Sequence, residues 1–168
     1  LLYAGERMGI DEAVAVRQAF PYARILNLFG PTETNVSCFH ELPRDHGGGE
    51  VPIGRPCPYL DLRLLDDAGR EADEGEIVAS GGTVMAGYWA EPRREQWVDL
   101  EGRRYLCTGD RARRDESGEL TFLGRADRMI KIRGYRVEPE EVEAALEEIA
   151  AKEAKATAPA PFSAGSLM

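Results

Sequence analysis

Hydrophobic positions at the start of the chain predict a strand, a helix and a second strand. The apolar run of residues 1–4 indicates a buried strand. Asp11 is expected to cap a helix that runs to Ala19, because its side-chain oxygen can accept a bond from the unpaired amides of a first turn. Residues 24–29 are short and apolar enough for another buried strand. This order is typical of an α/β lobe, which we assign to residues 1–49.

After this lobe the hydrophobic positions alternate with polar ones. Leu60, Leu62 and Leu64 would share one face of an extended chain, because successive side chains of a strand point to opposite faces. Further short apolar stretches follow, separated by turns rich in Gly or Asp. This spacing predicts a distorted β-barrel subdomain over residues 50–126.

A second helix is predicted in a small lobe over residues 127–155. Its apolar face would be formed by residues at three-and-four spacing: Val142, Ala145, Leu146 and Ile149. The tail at 156–168 consists chiefly of Ala, Pro, Ser and Thr. Because so few large apolar side chains cannot form a core, we expect this tail to be disordered.

Composition and charge exclude several classes of protein. The chain has 168 residues, of which 43% are hydrophobic and 30% charged, and a formal net charge of -9. An acidic protein repels phosphate, so we expect no nucleic-acid partner and no anionic-membrane partner. No apolar run reaches the roughly 20 residues of a membrane-spanning helix. The 3 cysteines are far apart and form no disulfide framework, so we expect a reduced, cytoplasmic protein.

The segment Asn27–Glu33 ends a predicted strand at Gly30 and then presents a hydroxyl and a carboxylate. Oxygens such as those of Thr32 and Glu33 are the ligands that Mg²⁺ prefers, and the metal commonly shares its coordination with phosphate. Phe29 offers an aromatic face to a nucleotide base. The alternative is an ordinary turn in which Thr32 caps a helix.

Two further segments carry charged side chains in places suited to a ligand. Asp110 ends a predicted strand, where its carboxylate can accept two hydrogen bonds from a ribose diol or, alternatively, form a turn that faces water. Residues 124–136 contain five Lys or Arg and one Asp, a net local charge of +4. If residues 129–133 are extended, Lys131 and Arg133 share one face, as an anion site or as an ordinary half-solvated strand.

Together these segments resemble the adenylate-forming (AMP-binding) enzymes, which include acyl-CoA synthetases and the adenylation domains of nonribosomal peptide synthesis. Four blocks carry the resemblance: Asn27–Glu33, Gly75–Trp89, Tyr105–Asp110 and Gly124–Glu143. The chain is similar to the C-terminal part of an amino-acid adenylation domain. The implied fold is α/β plus β: the end of an α/β lobe, a distorted β-barrel, a hinge and a truncated small C-terminal lobe.

The resemblance implies an ATP-dependent, Mg²⁺-dependent ligase. A carboxylate attacks the α-phosphate to give an acyl-adenylate and pyrophosphate, and a thiol then takes the acyl group. The thiol would belong to a phosphopantetheinyl carrier protein, or to CoA if the protein is instead an acyl-CoA synthetase. The sequence also leaves room for a non-catalytic remnant and for a module that binds acidic partners through residues 131–136.

The resemblance also implies roles for individual residues. The catalytic residues would be Thr32 at the α-phosphate, Glu33 as a ligand of Mg²⁺ and Lys131 at the thioester step. Asp127 would be the hinge of the small lobe, and Gly134 would assist Lys131. The residues implied for ATP or AMP binding are Gly5, Glu6, Arg7, Asn27, Phe29, Gly30, Thr32, Asp110 and Arg125.

In amino-acid-activating members of the family, a pocket for the substrate side chain draws on positions that match Leu2, Ala4, Leu28, Val36 and Ser37. These residues offer no charged partner, so they suit a small apolar side chain. Together with the run Gly30–Cys38, they resemble the stand-alone ligases that load proline onto a carrier protein. Proline is therefore the expected substrate.

The chain departs from the family pattern in three respects. The Gly-rich phosphate loop is absent, residues 151–168 do not resemble the family, and the catalytic lysine of the small lobe is missing. Loss of such a group costs orders of magnitude in rate. We therefore expect the isolated chain to make no acyl-adenylate, which a pyrophosphate-exchange assay would test.

Overall fold

The computed structural model describes residues 1–45, 49–89, 96–126, 130–132 and 135–137, together with Val142, Leu146 and Ile149. The chain divides into two compact units, Leu1–Asp127 and Arg128–Met168. The finer domain boundaries expected from the sequence remain predictions. Among the described residues, no helix has the length and apolar character needed to cross a membrane.

The first sheet of the larger unit has four strands in the order β1-β2-β3-β4. These are β1 (Leu2–Tyr3), β2 (Leu26–Phe29), β3 (Cys38–Glu41) and β4 (Arg55–Pro56). β1 and β2 are parallel and are connected through helix α1 (Ile10–Ala19), whereas the pairs β2–β3 and β3–β4 are antiparallel. The predicted order of strand, helix and strand is therefore confirmed.

Two details of that prediction are wrong. The first strand is not buried: Leu1 and Leu2 are 50% and 68% exposed, because β1 is an edge strand whose one neighbour among the described strands is β2. Helix α1 is capped by Gly9 rather than Asp11, and no side chain bonds to the cap. Asp11 and Glu12 lie in the first turn, where their charges complement the helix dipole.

The second sheet curls into half a barrel. Its strands are β5 (Leu60–Leu65), β6 (Glu74–Gly81), β7 (Trp97–Leu100), β8 (Arg103–Arg114) and β9 (Leu120–Arg125), all in antiparallel pairs. β8 pairs along one edge with β7 and then β9, and along its other edge with β6. The predicted alternation is confirmed in β5, where Leu60, Leu62 and Leu64 are buried.

Both sheets of the larger unit contribute to one hydrophobic core. Its buried members are Cys38, Ile53, Leu62, Leu64, Ile77, Ala112 and Leu120, and Phe29 and Phe122 pack against them. Backbone bonds join the sheets at the same place, because the Ile53 amide donates to the Leu120 carbonyl and the Leu120 amide donates to the Gly54 carbonyl. The ends of β2 and β9 therefore belong to one packed unit.

The smaller unit contains an antiparallel hairpin of β10 (Ile130–Ile132) and β11 (Tyr135–Val137). Residues 130–132 are therefore extended, whereas residues 129 and 133 lie outside the described residues. Val142, Leu146 and Ile149 are helical and 46%, 60% and 52% exposed, so these three positions of the predicted apolar face lie in a helix. Ala145 and the tail at 156–168 lie outside the described residues.

Candidate active site

The loop that follows β2 turns sharply at Gly30. The Ser37 amide donates to the carbonyl oxygen of Phe29 over 2.7 Å, which closes the loop at its base. A Cβ atom at Gly30 would lie 1.7 Å from the carbonyl oxygen of Asn35 and 2.8 Å from the amide nitrogen of Ser37. Because those neighbours are backbone atoms, they cannot move aside as a flexible side chain can. The close approach requires glycine at this position.

Thr32 is exposed and Glu33 is half-buried in this loop, which forms a turn rather than the start of a helix. Residues from the segment after β6 hold Glu33 in place. Its carbonyl oxygen accepts the Met85 amide over 2.8 Å, and its Oε1 accepts the Tyr88 hydroxyl. A carboxylate can accept several bonds at once, so this arrangement fits a ligand of Mg²⁺.

β8 contains a β-bulge at Thr108–Asp110. These three residues lie opposite a single residue of β6, Ile77. The middle residue, Gly109, has a φ of 73°, which favours glycine. The predicted strand end at Asp110 is wrong, because β8 continues through the bulge to Arg114. Bulges of this kind bend a strand and change the direction of a side chain, which here is that of Asp110.

Side chains satisfy the backbone groups that the bulge removes from the ladder. Thr108 Oγ1 donates to the carbonyl oxygen of Ile77 over 2.7 Å and accepts the Asp110 amide over 3.1 Å. The Gly109 amide donates to Oε1 of Glu76 over 2.8 Å. The bulge therefore has a defined conformation that depends on two side chains.

Asp110 and Arg125 form a buried ion pair. Arg125 Nη1 donates to Asp110 Oδ1 over 2.7 Å, and the two side chains are 5% and 13% exposed. The residues lie directly opposite each other in β8 and β9. A turn with the carboxylate facing water, which the sequence also allowed, is therefore excluded. The guanidinium orients the carboxylate, which suits a polar ligand such as a diol.

Replacing Arg125 tests how strongly this pair stabilises the fold. Arg125→Ala is expected to lower the free energy of unfolding by about 3 kcal/mol, because it leaves a buried carboxylate without its guanidinium. Urea unfolding of the purified protein would measure the loss. The matched control is Arg113→Ala, at an exposed position of β8, for which we expect almost no change. Equal losses in the two variants would contradict the assignment.

An aromatic contact connects the end of β2 with β9, the strand that also carries Arg125. The ring centroids of Phe29 and Phe122 are 5.7 Å apart. Phe122 lies opposite Ala112, and Arg125 lies opposite Asp110, with a second bulge, in β9, where the register shifts between the two pairs. Cross-strand partners share a face, and Asp110 and Ala112, two residues apart on β8, also share one. Phe29 therefore lies beside the face of the second sheet that carries the Asp110–Arg125 pair.

The other residues predicted for nucleotide binding lie in the first sheet and its loops. Residues 5–7 are exposed between β1 and α1, and Arg7 pairs with Glu50. Asn27 is 3% exposed, and its Nδ2 donates to the carbonyl oxygen of Pro52 over 2.8 Å. This bond fastens β2 to the segment that leads to β4. The predicted role of these residues at a nucleotide remains a prediction.

Of the five residues predicted to line a side-chain pocket, Leu2 and Ala4 are exposed, Leu28 and Val36 are half-buried, and Ser37 is buried. Ser37 is 1% exposed, and its hydroxyl lies 2.6 Å from Oγ1 of Thr34. That hydroxyl is thus engaged inside the loop. The assembly of the five residues into one pocket remains a prediction.

Residues of the smaller unit complete the predicted set. Lys131 lies in β10 opposite Arg136, and its side chain lies outside the described residues. Asp127 and Gly134 also lie outside them. Their roles as a hinge and in the thioester step remain predictions.

Cys107 immediately precedes the bulge but does not supply a nucleophile at neutral pH. Burial and the nearby Glu76 carboxylate raise the pKa of the Cys107 thiol to about 11. Because a thiolate is the reactive form, this protonated thiol is inert. The chemistry available here is that of carboxylates, a guanidinium and hydroxyl groups.

Sequence reasoning did not assign Glu76, Tyr88 and Thr108, which contact the predicted site residues. All three lie inside blocks that carry the resemblance, Gly75–Trp89 and Tyr105–Asp110, so the signal was present. Their contacts could not be derived from spacing, because they depend on strand pairing and on how the segment after β6 packs against the loop after β2.

Comparisons with known proteins show which family the chain is similar to. The profile of the AMP-binding enzyme family, described as "AMP-binding enzyme", matches residues 1–89. The chain is also 42% identical over 153 residues to the L-proline--[L-prolyl-carrier protein] ligase of Streptomyces coelicolor. That match covers 86% of this chain and 28% of the ligase.

Two solved structures superpose well on the chain. The NRPS protein PA1221, which contains adenylation and PCP domains, has a TM-score of 0.78 and 33% identity, over 88% of this chain and 32% of its own. The Vibrio cholerae adenylation domain AlmE, in complex with glycyl-adenosine-5'-phosphate, has a TM-score of 0.80 and 29% identity, over 88% of this chain and 30% of its own. The chain thus spans less than a third of each of these relatives. The α/β-plus-β fold predicted from the sequence is confirmed.

Proposed function

Since this chain belongs to the AMP-binding enzyme family, we propose that it forms part of an amino-acid adenylation domain. The domain uses ATP to convert a small apolar amino acid, with proline expected, to an aminoacyl-adenylate. It then transfers the aminoacyl group to the thiol of a carrier protein. Similarity to a proline–carrier-protein ligase supports the substrate class, and similarity to a protein with adenylation and PCP domains supports the acceptor.

The Asp110–Arg125 pair is the observation that carries this proposal. It combines a buried, oriented carboxylate with the aromatic side chain of Phe29 beside the same sheet face. A nucleoside offers a diol and a flat base, which match those two groups.

Each residue then has a defined task. Asp110 accepts hydrogen bonds from the ribose hydroxyls and Arg125 orients it, while the base lies between Phe29 and residues 5–7. The Thr32 hydroxyl donates to an oxygen of the α-phosphate, and Glu33 holds Mg²⁺. When bound, Mg²⁺ supplies positive charge that offsets the charge of the phosphates.

In the reaction, a carboxylate oxygen of the amino acid forms a bond to the α-phosphorus. The bond from that phosphorus to the bridging oxygen of the β-phosphate breaks, and pyrophosphate leaves with the electron pair. Donors and charges already in place lower the barrier because they need no reorganisation during the step. The thiol later displaces AMP from the acyl carbon.

Amino-acid-dependent exchange of pyrophosphate into ATP, measured on the full-length protein, tests this function. Proline is expected to give the highest kcat/KM, followed by other small apolar amino acids, because the predicted pocket residues carry no charge. Labelled proline should then load onto a holo carrier protein but not onto its apo form. Preference for a charged amino acid, absence of exchange, or thioester formation with free CoA alone would contradict the proposal.

A further inference from the structure

We propose that Glu76 and Thr108 are positioning residues that set the direction of the Asp110 carboxylate through the bulge Thr108–Asp110. This inference rests on the proposed function, in which Asp110 binds the ribose. Both side chains bond to backbone atoms of the bulge or of β6. They act on the reaction through Asp110.

The bulge needs these two side chains because it interrupts the ladder between β6 and β8. Where three residues face one, the backbone of β6 cannot pair with every amide of β8. A buried amide without an acceptor is costly, so the bulge keeps its shape only if other acceptors are supplied. Glu76 and Thr108 supply acceptors to Gly109 and Asp110, respectively.

Glu76 fixes the middle of the bulge. Its Oε1 lies 2.8 Å from the amide nitrogen of Gly109. Because glycine has no Cβ, this peptide can rotate more freely than one of another residue. Rotation of that peptide would turn the next residue, Asp110, away from Arg125. The charged acceptor of Glu76 opposes the rotation, because hydrogen bonds to charged groups are the stronger ones.

Thr108 fixes the end of the bulge that leads to Asp110. Its hydroxyl donates to the Ile77 carbonyl and accepts the Asp110 amide, so both sides of the interrupted ladder meet at one atom. The residue is 8% exposed, which limits competition from water. Valine has the shape of threonine but neither the donor nor the acceptor, whereas serine keeps both.

The test measures equilibrium binding of AMP to the full-length protein by calorimetry. Glu76→Ala and Thr108→Val are expected to weaken AMP binding about tenfold, since displacement of a binding group by about 1 Å has effects of this order or larger. Glu76→Gln and Thr108→Ser keep an acceptor and should restore most of the affinity. Glu74→Ala is the matched control, because Glu74 lies on the same strand and face of β6 and is exposed.

A double-mutant cycle separates positioning from general loss of structure. In an Asp110→Asn background, Glu76→Ala should cause no further loss of AMP affinity, because the group that it positions has already been altered. The KM for the amino acid should stay unchanged in Glu76→Ala. An equal loss in both backgrounds, or a parallel rise in the KM for the amino acid, would overturn the inference.

Different results would contradict the proposed function and the positioning role of Glu76 and Thr108. If the wild-type protein binds no AMP, or if Asp110→Asn binds it as well as wild type, the proposed function is wrong and the inference falls with it. If Asp110→Asn binds AMP weakly while Glu76→Ala and Thr108→Val bind it normally, only the positioning role is wrong. Should Glu76→Ala fail to fold, the pair Thr108→Val and Thr108→Ser decides the question in the same way.

Discussion

In the full-length protein, the Glu33→Gln variant is expected to exchange pyrophosphate into ATP about 100-fold more slowly than the wild type, or slower still. The amide keeps the size of the side chain and an oxygen that can accept the Tyr88 hydroxyl. It lacks the negative charge with which a carboxylate attracts a divalent cation. Initial rates at saturating proline and ATP would give the ratio, and a higher Mg²⁺ concentration should recover part of the lost rate.

Two controls isolate the charge of Glu33. Glu41→Gln removes a carboxylate from β3 that is paired with Arg24, whose hydrogen bond holds the pKa of Glu41 below its usual value. Because that pair lies on the surface, the rate should not change. Tyr88→Phe removes the hydroxyl but leaves the charge, so its effect should be far smaller than that of Glu33→Gln. Equal rates in Glu33→Gln and wild type would rule out Glu33 as a metal ligand.

The Gly30→Ala variant is expected to lower the free energy of unfolding by about 4 kcal/mol or more. The added Cβ would lie 1.7 Å from the carbonyl oxygen of Asn35, so the loop that carries Thr32 and Glu33 could not close as it does. Because the clash is with backbone atoms, no small movement of a side chain can relieve it. Thermal and urea unfolding of the purified variant would measure the loss, and exchange activity should fall with it.

Gly82→Ala is the matched control for this prediction. A Cβ at Gly82 meets nothing within 4 Å, and its backbone is not in the left-handed region. Substitution there removes freedom mainly from the unfolded chain, so stability should stay the same or rise slightly. A Gly30→Ala protein as stable as wild type would show that the loop after β2 can open without cost.

Elements with a periodic residue pattern can be predicted from the sequence, whereas strands that form only by pairing with a neighbouring strand cannot. The alternation in Leu60–Leu65 is visible in the residue pattern. A helix that ends at Ala19 is predicted from an expected cap at Asp11, but the helix spans Ile10–Ala19 and is capped by Gly9. In contrast, β3 and β4 have only 4 and 2 residues, and no pattern predicts them. Such short segments become strands because β2 supplies bonding partners for β3, and β3 for β4, which local sequence does not reveal.

At the candidate site, the bulge in β8 is likewise determined by strand pairing and not by local sequence. Gly109 indicates a break, and the sequence therefore predicts a strand that ends at Asp110. In the structure β8 continues to Arg114, because β6 and β9 pair with it on both sides of the bulge. The carboxylate of Asp110 could therefore be recognised as a candidate ligand-binding group from the sequence. The burial of Asp110 and its pairing with Arg125 depend on strand register, which the sequence does not reveal.

Family, fold class and the identity of most candidate residues could be derived from the order of residues, because each motif lies in a continuous stretch of the chain. The contacts that orient those residues could not. Glu76 and Gly109 are 33 residues apart, and Asp110 and Arg125 are 15 apart. Folding brings them together because strand pairing and the extra residues of two bulges set which side chains face each other, and no local pattern encodes that choice.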